Sequence, residues 1–390
     1  MDIDQLLSHP ADQRYADVRN AVAWLTEKYD RDYIRKCTAL EERPNELMAA
    51  LAEGGLLGLG VAPEAGGQGG GLGEELTLVE SLARAGVPAG TFLIGNFVRS
   101  LVLRYGSEEQ VASFVPGSLD GTGIYSFAIT EPDNGTNTFA MRTRADRADT
   151  GWMLNGEKCF ISHIGSATHA MIVARSAPYD QAARSDGLSI FLTELPVAGL
   201  TATPMNIHQG GVDKQYIVRL EDVRLPATAL VGEAGKGARY LFSALNPERL
   251  LVAAQAIGFA TFLLAKATRY AGERAPFGRP IGEYQAVQHP LARAFIGLRA
   301  ARSLMFEAAD AIDAGAPAGV LSNSAKYLAT EYACEALDAV TQVHGGYAFD
   351  EDYDIVTFHR QLRLWRIAPV NNDTLLNFVA EKALGLPTSR

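Results

Sequence analysis

The residues of this chain that could do chemistry fall in three places. The first is Tyr125-Ser-Phe-Ala-Ile-Thr-Glu-Pro132, where polar and apolar residues alternate as in a half-buried strand until Pro132, which cannot donate to a sheet ladder, stops it. The loop that follows, Asp133-Asn-Gly-Thr-Asn137, presents hydroxyls and free backbone N–H groups at a strand end. Gly135 allows close backbone approach and Thr136 supplies a hydroxyl, a combination suited to a phosphate or a polar ring edge. The second place is Arg274-Ala-Pro-Phe-Gly-Arg-Pro-Ile-Gly-Glu-Tyr-Gln285. Its Arg can fork onto phosphate oxygens and Gly278 lets backbone come near, although the same string also reads as a surface loop with an incidental Arg. The third is Glu248 in Asn246-Pro-Glu-Arg-Leu250, where the pattern predicts a helix with Asn246 as N-cap and Pro247 at its first position. A first-turn carboxylate is favoured by the helix dipole, which lowers its pKa, and most such residues are solvated, whereas a catalytic carboxylate in a water-poor pocket should have its pKa raised against the dipole.

Other chemistries find no footing. His163, His169, His208, His289, His344 and His359 show no metal-ligand spacing, and no G-x-S-x-G nucleophile elbow is present. Lys158 and Lys326 read as ordinary residues. The run Gly58-Leu-Gly-Val-Ala-Pro-Glu-Ala-Gly-Gly-Gln-Gly-Gly-Gly-Leu-Gly73 lacks G-x-G-x-x-G and follows a helix, so it reads as a surface loop closing onto its domain. The net charge of -10 and the absence of a Lys/Arg block argue against nucleic acid. Three cysteines, Cys37, Cys159 and Cys334, are too few and too scattered for a disulfide framework, which points to a reducing compartment. The N-terminus, with Asp2, Asp4 and Asp12 and no apolar run, reads as neither secretory signal nor transit peptide, and no run of 18 apolar residues predicts a membrane span. A cytoplasmic protein is expected.

The elements that must position these residues change period twice. Spacing of three and four predicts helices over 16–29, 45–52, 74–85 and 91–105. From about residue 120 short alternating runs predict strands at 124–130, 141–146, 152–154, 158–162, 169–174, 188–193, 200–204 and 216–223, with Asn155-Gly156 as a hairpin turn. Evenly spaced strands without helices indicate an antiparallel barrel or sandwich. Helical period returns at Lys236, with an apolar stripe Leu250, Ala253, Ala254, Ile257, Ala260, Leu264 and Ala267, then helices over 286–314, 320–343 and 373–383. The expected fold is mainly α with a β domain. An N-terminal helical domain covers 1–118, a middle antiparallel β-barrel 119–232 and a C-terminal four-helix bundle 233–390.

Phe127-x-x-Thr130-Glu-Pro, the following Gly-Thr, and Asn155-Gly-x-Lys-x-Phe-Ile-Ser162 resemble the middle domain of the acyl-CoA dehydrogenases, and the order of helices, barrel and bundle resembles the same family over the whole chain. The resemblance implies FAD as cofactor, with Phe127, Ile129 and Thr130 against the flavin pyrimidine edge, Phe160 against the ring, Ser162 near N5 and Thr136 near the pyrophosphate. The Arg274 string resembles the family's Arg-x-x-Phe-Gly motif with Gln285 following, and Gln342-Val-His-Gly-Gly-Tyr347 its Gln-x-x-Gly-Gly contact. Arg274, Phe277, Gln285, Gln342, Gly345, Gly346 and Thr374 are therefore expected at the cofactor, those of the two motifs at the cofactor of a neighbouring subunit.

Most members carry their catalytic base near the C-terminus in Ile-Tyr-Glu-Gly-Thr. Here that segment reads Arg366-Ile-Ala-Pro-Val-Asn-Asn-Asp-Thr374, which puts Pro369 or Asn372 at the base position, and neither takes a proton at neutral pH. In the isovaleryl-CoA dehydrogenase type the base is a Glu before an Arg on the bundle helix, in register with Glu248-Arg249. The resemblance thus implies α,β-dehydrogenation of an acyl-CoA with Glu248 as base, Arg249 as a structural or substrate-side Arg, an electron-transfer flavoprotein as acceptor, and a homotetramer built as a dimer of dimers. Acyl-CoA oxidases and flavin monooxygenases share the architecture, and a non-catalytic subunit of a hetero-oligomer is a further reading.

Overall fold

The computed structural model describes residues 9–207 and 213–389, so Asp2, Asp4 and His208 lie outside the described residues. The N-terminal part contains α1 (Pro10–Arg14), α2 (Ala16–Thr26), α3 (Arg31–Ala39), α4 (Asn45–Glu53), α5 (Leu72–Arg84), α6 (Gly90–Tyr105) and α7 (Glu108–Leu119). The strands are β1 (Tyr125–Ala128), β2 (Arg144–Ala148), β3 (Gly151–Ser162), β4 (His169–Arg175), β5 (Leu188–Glu194), β6 (Leu200–Pro204), β7 (Gln215–Pro226) and β8 (Leu230–Val231). The bundle follows as α8 (Gly237–Glu273), α9 (Gln285–Asp313), α10 (Gly319–His344), α11 (Val356–Trp365) and α12 (Asn372–Lys382).

The β domain is one sheet ordered β6-β7-β3-β2-β4-β5-β8, with β1 joining β4 from off that path. Its interior takes Ala128, Ala145, Trp152, Ile172, Phe191 and Val218 from six different strands, the enclosed core of a barrel. Pairing is antiparallel as expected except at two places: β1 runs parallel to β4, and β2 touches β4 in parallel at Arg144 and Arg175. The two strands expected around Asn155-Gly156 are one strand. The hairpin turn lies earlier, at Asp149-Thr150, because Ala148 pairs with Gly151. Asn155 stands opposite a bulge in β7 at Glu221-Asp222, where Asn155 Nδ2 donates to Asp222 Oδ1 (3.0 Å) and the Asp222 N–H donates to Asn155 Oδ1 (2.8 Å).

A second correction concerns α8. It runs unbroken through Pro247, so Asn246 is not its N-cap. Tyr240, Leu241 and Ala244 before the proline pack into the cluster shared with α6 and β1, and that packing carries the helix across the lost hydrogen bond. An 18-residue window of α8 has a mean hydropathy of 1.8, enough by composition to cross a membrane, yet 83% of it is buried inside the protein. It is the core helix of the bundle, packed against α5, α9 and α10.

Burial also sets the joints. Arg302 on α9 donates through Nε to Glu80 Oε1 (2.6 Å), and Arg84 donates to the same oxygen (2.8 Å). Arg302 reaches Asp12 as well, tying the chain's beginning to the bundle (2.5 Å).

Candidate active site

Glu248 lies on α8 directly after Pro247 and lines a cavity of about 240 Å³ between α5, α6 and α8. Ala244, Pro247, Leu251 and Phe97 supply apolar wall, and burial pushes the Glu248 carboxyl up to about 7, against a smaller opposing pull from Arg249. The raised value agrees with the expectation of a pocket working against the helix dipole; what is overturned is the first-turn placement, because Pro247 lies inside α8. Phe97 leaves the cavity on its other side to meet Phe127 edge-on, with ring centroids 4.8 Å apart. The cavity thus abuts the face of β1.

At the end of that strand a buried ion pair fixes the backbone. Lys158 Nζ donates to the Ile129 carbonyl (3.0 Å) and to Glu131 Oε1 (3.1 Å). Glu131 also accepts from the N–H groups of Arg142 (2.6 Å) and Thr143 (2.8 Å) and from the Thr143 hydroxyl (2.5 Å). Cys159 N–H donates to the Thr130 carbonyl (3.0 Å), which clamps β1 to β3. Lys158 is fully buried, not an ordinary surface lysine. It lies within β3, while its partner Glu131 lies just past the end of β1.

Beyond the clamp, Phe160 is 57% exposed with φ 57°, a left-handed conformation that bulky residues seldom adopt. A large exposed ring held in that conformation beside a site is a pattern of function. Ser162 Oγ accepts from Gln215 Nε2 (2.7 Å), and the residue is half-buried. Thr136 and Thr374, distant in sequence, meet through Asn371: its Nδ2 donates to Thr136 Oγ1 (3.0 Å), and its Oδ1 accepts from the Thr374 N–H (2.8 Å) and hydroxyl (2.9 Å). Gly135 has open space where a Cβ would stand.

The remaining expected residues form a separate group. Arg274, Gln342, Gly345 and Gly346 line one groove of about 600 Å³ with Tyr270 and Tyr347, at the far end of α8 and α10. None of the β-domain residues lines it. Phe277, 83% exposed, projects from the loop beside it, and Gln285 stands exposed at the start of α9. Gly345 has φ 59°, and a Cβ added at either Gly345 or Gly346 would meet nothing within 4 Å, so the groove floor is bare backbone.

Arg249 does not line the cavity. Its Nη1 donates to Asn246 Oδ1 (2.8 Å), and burial lowers its pKa. Neither alternative base position reaches the cavity either. Pro369 is exposed, and Asn372 is buried with its amide engaged by Lys326 (2.8 Å), Thr330 (3.0 Å) and Glu331 (2.7 Å). Lys326, like Lys158, is buried, and also donates to the Val370 carbonyl (2.8 Å).

The chain matches the family descriptions "Acyl-CoA dehydrogenase, N-terminal domain" over residues 12–122, "middle domain" over 126–223 and "C-terminal domain" over 235–384. The chain belongs to the acyl-CoA dehydrogenase family. It is 35% identical over 375 residues to acyl-CoA dehydrogenase FadE12 of Mycobacterium tuberculosis, covering 95% of this chain and 96% of that one. Among solved structures, butyryl-CoA dehydrogenase from Megasphaera elsdenii superposes with a TM-score of 0.88 at 28% identity, over 97% of this chain and 99% of the other. A structure from work on the electron transferring flavoprotein of Acidaminococcus fermentans and flavin-based electron bifurcation gives 0.88 at 27% identity, over 97% and 98%. As a member, this acyl-CoA dehydrogenase family protein is an oxidoreductase with FAD as cofactor.

Proposed function

We propose that this protein dehydrogenates an acyl-CoA thioester between its α and β carbons, with Glu248 as the base. The observation that carries the reading is the Glu248 carboxyl, raised to about 7 in a cavity that abuts the β1 face through Phe97 and Phe127. A carboxylate poised near neutral pH can take an α proton from a thioester. Flavin, when bound, accepts the hydride from the β carbon, a step no side chain can perform.

The residues present fit that cofactor. The exposed Phe160 ring, the Ser162 hydroxyl, the Lys158-fixed carbonyl of Ile129 and the Phe127 and Thr130 positions would hold the ring system. The Thr136–Asn371–Thr374 link beside open Gly135 suits the pyrophosphate. The groove with Arg274, Gln342, Gly345 and Gly346, flanked by Phe277 and Gln285, would receive the adenosine half of a neighbouring subunit's FAD, which makes a homotetramer, built as a dimer of dimers, the expected assembly. Arg249 stays a residue that shapes the turn bearing Glu248 or meets the substrate. Electrons would pass to an electron-transfer flavoprotein, a reading supported by likeness to the Acidaminococcus structure. The three cysteines are free, in keeping with a reducing cytoplasm.

Anaerobic addition of saturated acyl-CoAs to the purified yellow protein tests the reading. Flavin bleaching with formation of 2-enoyl-CoA is expected. Hydrogen peroxide formed stoichiometrically under air would instead make oxygen the acceptor, as in an oxidase.

A further inference from the structure

The cavity that holds Glu248 is not walled by hydrocarbon alone. Glu75 on α5 and Asn96 on α6 line it too. Glu75 is only 8% exposed, and its Oε2 accepts from Asn96 Nδ2 (2.8 Å). Asn96 is itself fixed, since its Oδ1 accepts from Arg99 Nη2 (2.6 Å), and Arg99 Nη1 donates to the Leu57 carbonyl (2.7 Å). The other oxygen, Oε1, has no hydrogen-bond partner among the described residues. It lies over Gly60, where a Cβ would come within 2.0 Å of it, and Gly60 also lines the cavity. This is what the glycine run provides at that point: room for a carboxyl, not a cradle for phosphate. Glu75 lines the cavity with this oxygen unmatched by any protein donor among the described residues, which leaves it available to a donor on a ligand.

We propose that Glu75 is a specificity-determining residue, and that the acyl group taken into this cavity carries a hydrogen-bond donor, hydroxyl or ammonium, near its distal end. The inference rests on the acyl-thioester reading above. A site with a fixed buried acceptor rejects a ligand that leaves the acceptor unpaired, whereas a plain methyl end discriminates poorly. A volume of about 240 Å³ equals on the order of eight waters at roughly 30 Å³ each, so the fitting chains are short to medium. The burial that raises the Glu75 carboxyl to about 7 lets it accept from a hydroxyl or, ionised, hold an ammonium.

The test is kcat/KM of the holoenzyme, with an artificial electron acceptor, for butanoyl- to octanoyl-CoA and the ω-hydroxy and ω-amino counterpart of each length. The native protein should prefer the hydroxy or amino compound by ~10-fold or more at its best length. Glu75→Leu should reverse the order. Glu75→Gln, which keeps the shape and guards against a misfolded Leu variant, should retain any hydroxyl preference and lose the ammonium one. Equal or better use of the methyl-ended chain by the native protein, or an order unchanged in both variants, overturns the assignment. Absence of turnover and of flavin bleaching with every thioester overturns the acyl-thioester reading and this assignment with it, an outcome distinct from normal turnover without preference.

Discussion

Glu248 shows how far one residue's chemistry depends on its neighbours. Its proposed role as base is legible only by resemblance, and with that role comes the expectation of a raised pKa; its place in the helix is not legible, because Asn246-Pro247 carries the signature of a helix start in the middle of a helix held by Tyr240, Leu241 and Ala244. Burial pushes the carboxyl up to about 7, the direction expected of a catalytic carboxylate in a pocket. Only the ionised form takes a proton. The kcat/KM should therefore fall as pH drops below about 7 and level off above it, a profile measurable by stopped-flow bleaching between pH 5 and 9. The conformation of Phe160 is equally hidden at this scale: nothing in the sequence shows that a phenylalanine will sit at φ 57° with its ring exposed.

At the scale of elements, the clamp between β1 and β3 holds the strand end that is proposed to meet the flavin. Removing Lys158 while leaving Glu131 buried strands a carboxylate, and such a loss typically costs about 3–5 kcal/mol. Lys158→Met should accordingly unfold at clearly lower urea concentration than the native protein and retain less FAD after gel filtration. The joint between α5 and α9 makes a separate prediction. Glu80 is held at about 2 in spite of burial, because Arg302 and Arg84 flank it. A depressed folded pKa contributes stability that is present above the ordinary carboxylate value of 4.5 and is lost as pH falls toward about 2, so thermal unfolding should drop steeply in that window for the native protein and less so for Glu80→Gln. Strand and helix periods are largely readable here, and the predicted ends of β6 coincide with the observed ones. What is not readable depends on partners. Asn155-Gly156 carries the residues of a hairpin turn, yet β3 runs on through the pair, with Asn155 held by Asp222 in a bulge of β7. The parallel placement of β1 beside β4 leaves no local mark. Helix α7 does leave one, the reciprocal Ser107–Gln110 capping box, but Pro116 and Gly117 within the helix argue against it and periodicity alone does not predict it. Helices α3 and α11 likewise fall outside the helices that periodicity predicts.

At the scale of the whole molecule, one chain contains two half-sites that do not meet. The cavity and the β1–β3 face lie together, while the bare groove of Arg274, Gln342, Gly345 and Gly346 lies apart at the end of the bundle. On the proposed placement of the cofactor, the two halves would meet only across subunits. Arg274→Ala, a change at an exposed side chain, should leave the melting of the apo chain nearly unchanged but weaken FAD retention by ~10-fold or more, read by equilibrium dialysis, since a charge-assisted phosphate contact contributes about 1.5–3 kcal/mol. The central claim is that Glu248 takes the α proton in this cavity. It is tested most directly by anaerobic titration with saturated acyl-CoAs, comparing bleaching in the native protein and in Glu248→Gln at equal FAD content. The account predicts bleaching in the native protein slowed ~10²-fold or more in the variant. Bleaching at the native rate in Glu248→Gln would contradict it.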